Sequence, residues 1–197
     1  MQLKDSILGR RSIRRYKDRE VPLSLVGEII ELAKHAPSSG NLQNWRFVIV
    51  TDMKKREKLA EASLEQYWMV EAPIHIVVCN DYEKVKEHYG KMGRMYSIQN
   101  CAAVAYAIML VAQEKGLGTC WVGAFDPEAV QRELNIPENM DPEIIITLGY
   151  SNDKKMPALR ETLHYLSYFE EWGNRVKSFS TVDDVKKKLK SIKKRFK

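Results

Sequence analysis

MYSIQNCAAVAYAIMLVAQEKGLGTCWVGAFDP, residues 95–127, decides how the rest of the chain must be arranged. From Met95 to Lys115 the stretch has helical spacing, and Ile98, Ala102, Ala105, Ile108, Met109 and Ala112 spread around nearly the whole circumference. A helix that is apolar on almost every side is central, and its alanines let other backbones come close, at a core or a subunit interface. Gly116 and Gly118 end it, and Thr119–Val122 reads as a short strand. Asp126-Pro127-Glu128 then marks a helix start, with an N-cap, a proline at the first helical position and an acid in the first turn.

Outward from this centre, Trp45–Thr51, Ile74–Cys79 and Glu143–Tyr150 are short apolar runs rich in β-branched residues, which predicts buried strands. One helix begins at Pro22, carries Leu25, Ile29, Leu32 and Ala36 as its apolar row, and stops at Pro37. A second starts from Asp52 as N-cap and runs through Lys54 to about Tyr67. Residues 80–94 are polar, contain Gly90 and Gly93, and read as a loop. Residues 151–160 read as an extended arm, Glu161–Trp172 as an aromatic-rich helix, and Thr181 with Asp184 as the start of a Lys-rich last helix. Strands and helices alternate, but the connections suit parallel or antiparallel pairing, so the residues alone say α/β or α+β.

The chain has 197 residues, which at roughly 150 per domain is one domain, or one with an appendage. The expected division is a body over residues 1–173 and a basic tail over 174–197. The formal charge of +6 belongs to that tail: Thr181–Lys197 holds eight Lys or Arg and two Asp, so the preceding residues sum to zero. Such a run is usually a solvated face, which makes nucleic-acid or membrane-surface binding through it the lesser expectation. Three cysteines, Cys79, Cys101 and Cys120, sit far apart in apolar runs, which argues for a reducing compartment and against a disulfide framework or zinc knuckle. The first residues carry no apolar secretory core, and the apolar run Ala102–Ala112 is too short to cross a bilayer. A cytoplasmic protein without membrane attachment is expected.

Three segments carry possible chemistry. Arg10, Arg11, Arg14 and Arg15 flank Ser12, and four cations so close repel one another unless an anion joins them. A phosphate monoester suits the bidentate guanidinium geometry and the nearby hydroxyl. The alternative is a solvated segment paired with Asp5, Asp18 and Glu20. Pro37-Ser-Ser-Gly-Asn-Leu-Gln-Asn44 is turn chemistry whose N–H groups and side chains could meet the edge of a planar heterocycle, or simply form a polar turn. Gly116-Leu-Gly-Thr-Cys-Trp-Val-Gly123 would let a flat ligand lie close to backbone; it follows a helix and lacks the G-x-G-x-x-G spacing, so it is no dinucleotide or P-loop fingerprint. His35, His75, His88 and His164 have no metal-ligand spacing. Cys101 and Cys120 read as core, and no acid–base pair or nucleophile elbow is visible.

Taken in order, Arg10-Arg-Ser-Ile-Arg14, Ala36-Pro-Ser-Ser-Gly-Asn-Leu-Gln-Asn-Trp45, GLGTCWVGAFDP and Ile146-Thr-Leu-Gly-Tyr150 resemble the motifs of the nitroreductase family of FMN-dependent oxidoreductases over about residues 3–172. The resemblance implies an α+β fold, a mainly antiparallel sheet flanked by helices, and an interlocked homodimer with two FMN sites at the interface. Carried over, Arg10 and Ser12 would bind the FMN phosphate, with Arg11 in the same set, and Arg14 would approach the flavin N1/O2 edge. Pro37, Ser38, Ser39 and Asn41 would come from the partner subunit. Val122 and Gly123 would offer backbone near N5 and O4, Gln66 would reach the pyrimidine edge, and Arg160 would add a phosphate contact. The implied activity is hydride transfer from NADH or NADPH through flavin N5 to a nitroaromatic, quinone or similar acceptor, by a ping-pong mechanism. A dehalogenase or flavin-fragmenting enzyme of the same fold is the alternative. A cation at N1 stabilises the reduced flavin, and the cofactor carries the redox chemistry, so no side-chain acid or base is demanded. Asn44 stands where the family pattern has proline before Trp45.

Overall fold

A computed structural model describes residues 2–153 and 159–175. The chain divides into two units, Met1–Lys155 and Met156–Lys197. The first contains four strands: β1 (Trp45–Val50), β2 (Ile74–Asn80), β3 (Gly118–Val122) and β4 (Asp141–Gly149). They form one sheet in the order β1-β2-β4-β3, and every neighbouring pair is antiparallel. The choice between α/β and α+β thereby falls to α+β.

Both faces of this sheet are covered. Along β2 and β4, Ile74, Ile76, Val78, Ile144, Ile146 and Leu148 point to one side, where they meet helices α2 (Leu23–Ala33) and α5 (Gly93–Glu114). Val77, Cys79 and Ile145 point to the other, against Leu59 and Ala60 of α3 (Met53–Ala62) and Val130 of α6 (Pro127–Leu134). Side chains alternate across a strand, so a strand with two covered faces must be apolar throughout; β2 is buried at all seven positions. The helix α5 buries Cys101, Val104, Ala105, Ile108, Met109 and Ala112 in the first core, as its composition predicts. The stretch Tyr82–Glu114 is long and apolar enough to cross a membrane by composition. Here the helix breaks at Gly90 and its second part is the core helix.

Several local expectations need correction. Residues 80–94 are not a loop: α4 (Tyr82–Tyr89) and a 3-10 turn at Gly90–Met92 lead directly into α5. One side chain of α4, Val85, is fully buried, and that single anchor leaves no apolar periodicity to read. The buried row of α2 is Val26, Ile29 and Ala33, while Leu32 is exposed. Both rows pass through Ile29, and only packing against α5 selects between them. Helix α3 is capped by the Asp52 side chain, which accepts from the Lys55 N–H at 2.9 Å. It ends at Ala62, short of Tyr67, because Leu64 and Glu65 both take left-handed backbone. At α6 the Asp126 carboxylate accepts from the N–H groups of Glu128 and Ala129, the expected cap.

In the second unit, only Leu163–Leu166 of the predicted Glu161–Trp172 helix is helical. Beyond it, Arg175 donates to the Tyr168 hydroxyl and Trp172 leans on the Tyr168 ring. The body–tail boundary at 173/174 and the unit boundary at 155/156 are different divisions of the same chain. Residues 154–158 of the 151–160 arm and the Lys-rich helix expected from Thr181 lie outside the described residues.

Candidate functional site

The arginine-rich segment behaves as an added strand. A short α1 (Leu3–Gly9) delivers it to the open edge of β3, where Ser12 bridges Thr119 and the Ile13 N–H donates to the Thr119 carbonyl at 3.0 Å. It then crosses to the end of β4: the Lys17 N–H donates to the Tyr150 carbonyl, and the Asn152 N–H to that of Arg15. Two paired glycines make this approach possible. A Cβ on Gly118 would stand 2.7 Å from Ile13, and one on Gly149 would stand 2.8 Å from Tyr16. Tyr16 fixes the segment from beneath, since its buried hydroxyl bonds Thr147 Oγ1 at 2.7 Å and donates to the Ile13 carbonyl at 2.8 Å.

What this anchoring presents is a run of guanidinium groups, with the Asp153 and Glu71 carboxylates bound to its backbone rather than to its side chains. Among the described residues Arg10, Arg14 and Arg15 form no ion pair with a carboxylate, those of Asp5, Asp18 and Glu20 included. Arg11 differs: its Nη1 donates to the carbonyls of Leu8 and Arg10, where a cation suits the C-terminus of α1. The Arg14 N–H is held by Asp153 Oδ2 at 2.8 Å, and its guanidinium lies 5.6 Å from the Trp68 ring centroid. The exposed Ser12 hydroxyl sits against the Cys120 thiol, whose ionisation is pushed up by burial and eased by Arg14, Ser12 and Arg10. Free guanidinium donors, a hydroxyl and a strand edge are the donor set a phosphate monoester needs, so the residues fit that group.

Val122 is buried in the second core, and Gly123, one residue past β3, is exposed beside the Trp121 indole. Gln66 is half-buried and donates from Nε2 to the Ser63 carbonyl at 2.9 Å, which closes the turn after α3. Arg160 belongs to the second unit, where its Nη1 donates to the Leu159 carbonyl. The cysteines are core residues: burial raises Cys79 and Cys101 to about 12.

The 37–41 loop lies elsewhere. It leads into Trp45, which pairs with Asn80 at the end of the sheet where β4 begins; Thr119 faces Leu148, where β4 finishes. The loop therefore flanks one corner of the sheet and the arginine segment the opposite one. Seven residues of β4 and three strand spacings separate those corners, roughly 20–30 Å. Within the loop, Ser39 donates from both N–H and Oγ to Asn100 Oδ1, Ser38 Oγ accepts the Gln43 N–H, and Asn41 Oδ1 accepts from Gln43 Nε2. Residues that the motifs did not single out thus complete the picture: Trp68 and Asp153 at Arg14, and Asn100 at Ser39. Each joins the site from far away in sequence, and no local pattern announces it.

Comparison with known proteins bears on the family and the fold. The family model described as "Nitroreductase family" matches residues 7–150. A Thermus thermophilus protein named NADH dehydrogenase is 31% identical over 188 residues, covering 81% of this chain and 92% of its own. A Bacillus subtilis protein named FMN reductase (NAD(P)H) is 29% identical over 184 residues, covering 86% of this chain and 74% of its own. The solved structure of an FMN-dependent nitroreductase from Clostridium difficile R20291 superposes with a TM-score of 0.75 at 29% identity, over 86% of this chain and 99% of that one.

Proposed function

The chain belongs to the nitroreductase family, and from that premise we propose that it holds FMN between two copies of itself and passes hydride from NAD(P)H to a small electrophilic acceptor. It is an oxidoreductase with FMN as cofactor and NAD(P)H as electron donor. The observation that carries the two-copy reading is the separation of the arginine segment from the 37–41 loop by the length of the sheet. One chain does not bring both to a single flavin; two chains packed with opposite corners adjoining do. The outer side of α5 supports this, since Met95, Ile98 and Tyr106 recur there at helical spacing and all remain exposed. An apolar stripe on a central helix is the surface a second copy would bury.

Each residue then has a role within the proposal. Arg10 and Ser12 hold the phosphate at the β3 edge, where the Ser12 hydroxyl also meets the Cys120 thiol. Arg14, leaning on Trp68, sets a positive charge near the flavin N1/O2 edge. Val122 and Gly123 supply backbone near N5 and O4, and Gln66 serves the pyrimidine edge. Ser38 and Asn41 present donors from the partner, while Ser39 anchors their loop. Bound FMN would supply the two-electron redox chemistry between the nicotinamide and a nitroaromatic or quinone, the two using the same place in turn. The protein's share is binding, orientation and a favourable potential. The proposed setting is the cytoplasm, where three free thiols stay reduced.

An anaerobic titration of the FMN-loaded protein with NADH and then NADPH tests this. Bleaching of the flavin band by either donor, reversed by a quinone or nitroaromatic, is the expected result. Bound flavin that neither donor reduces would transfer the chain to the specialised flavoenzymes of the fold. Failure to bind FMN would end the reading.

A further inference from the structure

We propose that Asn100 and Asn44 are positioning residues that hold the 37–41 loop in its flavin-receiving shape; the proposal rests on the FMN reading above. Bonds within the loop, from the Gln43 N–H to Ser38 Oγ and from Gln43 Nε2 to Asn41, close its turn but do not tie it to the body of the protein. Asn41 and Gln43 both take left-handed backbone, at φ 56° and 47°; asparagine tolerates it, but at Gln43 it is uncommon and needs support from its surroundings. That support is a buried chain of amides. Asn100, on α5, accepts both Ser39 donors at one oxygen, and its Nδ2 donates to Asn44 Oδ1 at 2.7 Å. Asn44 in turn donates to Asn80 Oδ1 at 2.7 Å and to the Ser97 carbonyl at 3.3 Å. Asn80 completes the relay by donating to Ser97 Oγ and Glu143 Oε1. Asn44 and Asn80 are fully buried and Asn100 nearly so.

This chain departs from the family pattern at the same place. A proline at position 44 would force Gln43 into extended backbone, because the ring clashes with a preceding residue outside that region. Gln43 is left-handed instead, so proline cannot supply the stiffness here, and the Asn44–Asn100 bond supplies it by another route. The relay begins at Ser39; on either side of it Asn41 is exposed and the half-buried Ser38 accepts the Gln43 N–H at its Oγ.

The test compares Asn100→Ala with Asn80→Ala in the full-length protein. Both cut the buried relay and lower thermal stability, but only Asn100→Ala frees Ser39; after Asn80→Ala, Asn44 keeps its bond to the Ser97 carbonyl. Two quantities are read: FMN affinity by flavin-fluorescence titration, and amide exchange of residues 38–42 in the flavin-free protein. The expected result is at least a tenfold weaker FMN affinity and faster 38–42 exchange for Asn100→Ala. Asn80→Ala, at a similar melting temperature, stays within about twofold of the unaltered protein. FMN affinities that fall equally in the two variants, in step with stability, would overturn the positioning role. So would unchanged affinity in Asn100→Ala. An unaltered protein that binds no FMN would instead overturn the functional reading on which the proposal rests.

Discussion

His75 gives the protein a built-in weakness to acid that can be worked out quantitatively. It lies on β2, fully buried, with Nε2 bonded to the Met69 carbonyl at 2.8 Å and Nδ1 without a partner. Burial, with a smaller push from nearby Arg56, lowers its pKa from 6.5 to about 4. The ring is therefore neutral in the fold, while the unfolded chain takes up a proton near pH 6.5. Between these values the unfolded state binds more protons, so stability is complete above about pH 6.5 and declines as pH falls towards 4. Integrating that difference from pH 7.5 to 4.5 gives a loss of about 2–3 kcal/mol from this one group. In a chain of this size it corresponds to roughly 5–10 °C in melting temperature. Other groups titrate over the same range, so the informative quantity is the difference from His75→Gln, which keeps a donor for the Met69 carbonyl but cannot titrate. Urea unfolding of both proteins at the two pH values should show the unaltered chain losing about 2–3 kcal/mol more than the variant. Equal losses would mean that His75 is solvated or already protonated in the fold, and the reasoning would fail.

Arg14→Ala should leave the far-UV spectrum intact and lower the two-electron potential of bound FMN by roughly 20–40 mV, the equivalent of about 1–2 kcal/mol of lost stabilisation; an unchanged potential would remove Arg14 from the N1 edge. Gly118→Ala drives a methyl into Ile13 and should cost about 1–3 kcal/mol while weakening FMN, by lifting the arginine segment from β3. A variant with normal stability and affinity would show that the segment is not held as described. Tyr16→Phe leaves Thr147 Oγ1 and the Ile13 carbonyl short of a buried partner, for a loss of about 1–3 kcal/mol by thermal unfolding.

The four strands are legible in the sequence because a strand buried on both faces must be written in apolar residues, and Ile74–Asn80 and Asp141–Gly149 nearly are. Their order is not legible. Placing β4 between β2 and β3 depends on pairings such as Ile76 with Ile146, seventy positions apart, which no local pattern carries. The same limit hides the site's geometry: the motifs name Arg10 and Ser39 but do not say that the sheet lies between them. Helix α4 escapes because one buried valine anchors it, and the buried row of α2 because two candidate rows share Ile29. The exchange of proline for Asn44 is visible in the sequence as a departure. Its consequence becomes visible only when α5 and β2 bring Asn100 and Asn80 to it.

If each flavin site takes its arginines from one chain and its 37–41 loop from another, as proposed, mixed assembly of two defective variants restores it. Arg10→Ala/Arg14→Ala and Ser38→Ala/Asn41→Ala each damage both sites of their own homodimer. When the two variants are unfolded, mixed and refolded together, every mixed dimer regains one site with intact arginines facing an intact loop. FMN binding, weak in either variant alone, should return in the mixture as a tight class. If the mixture binds FMN no better than its components, the site is not shared between chains in this way.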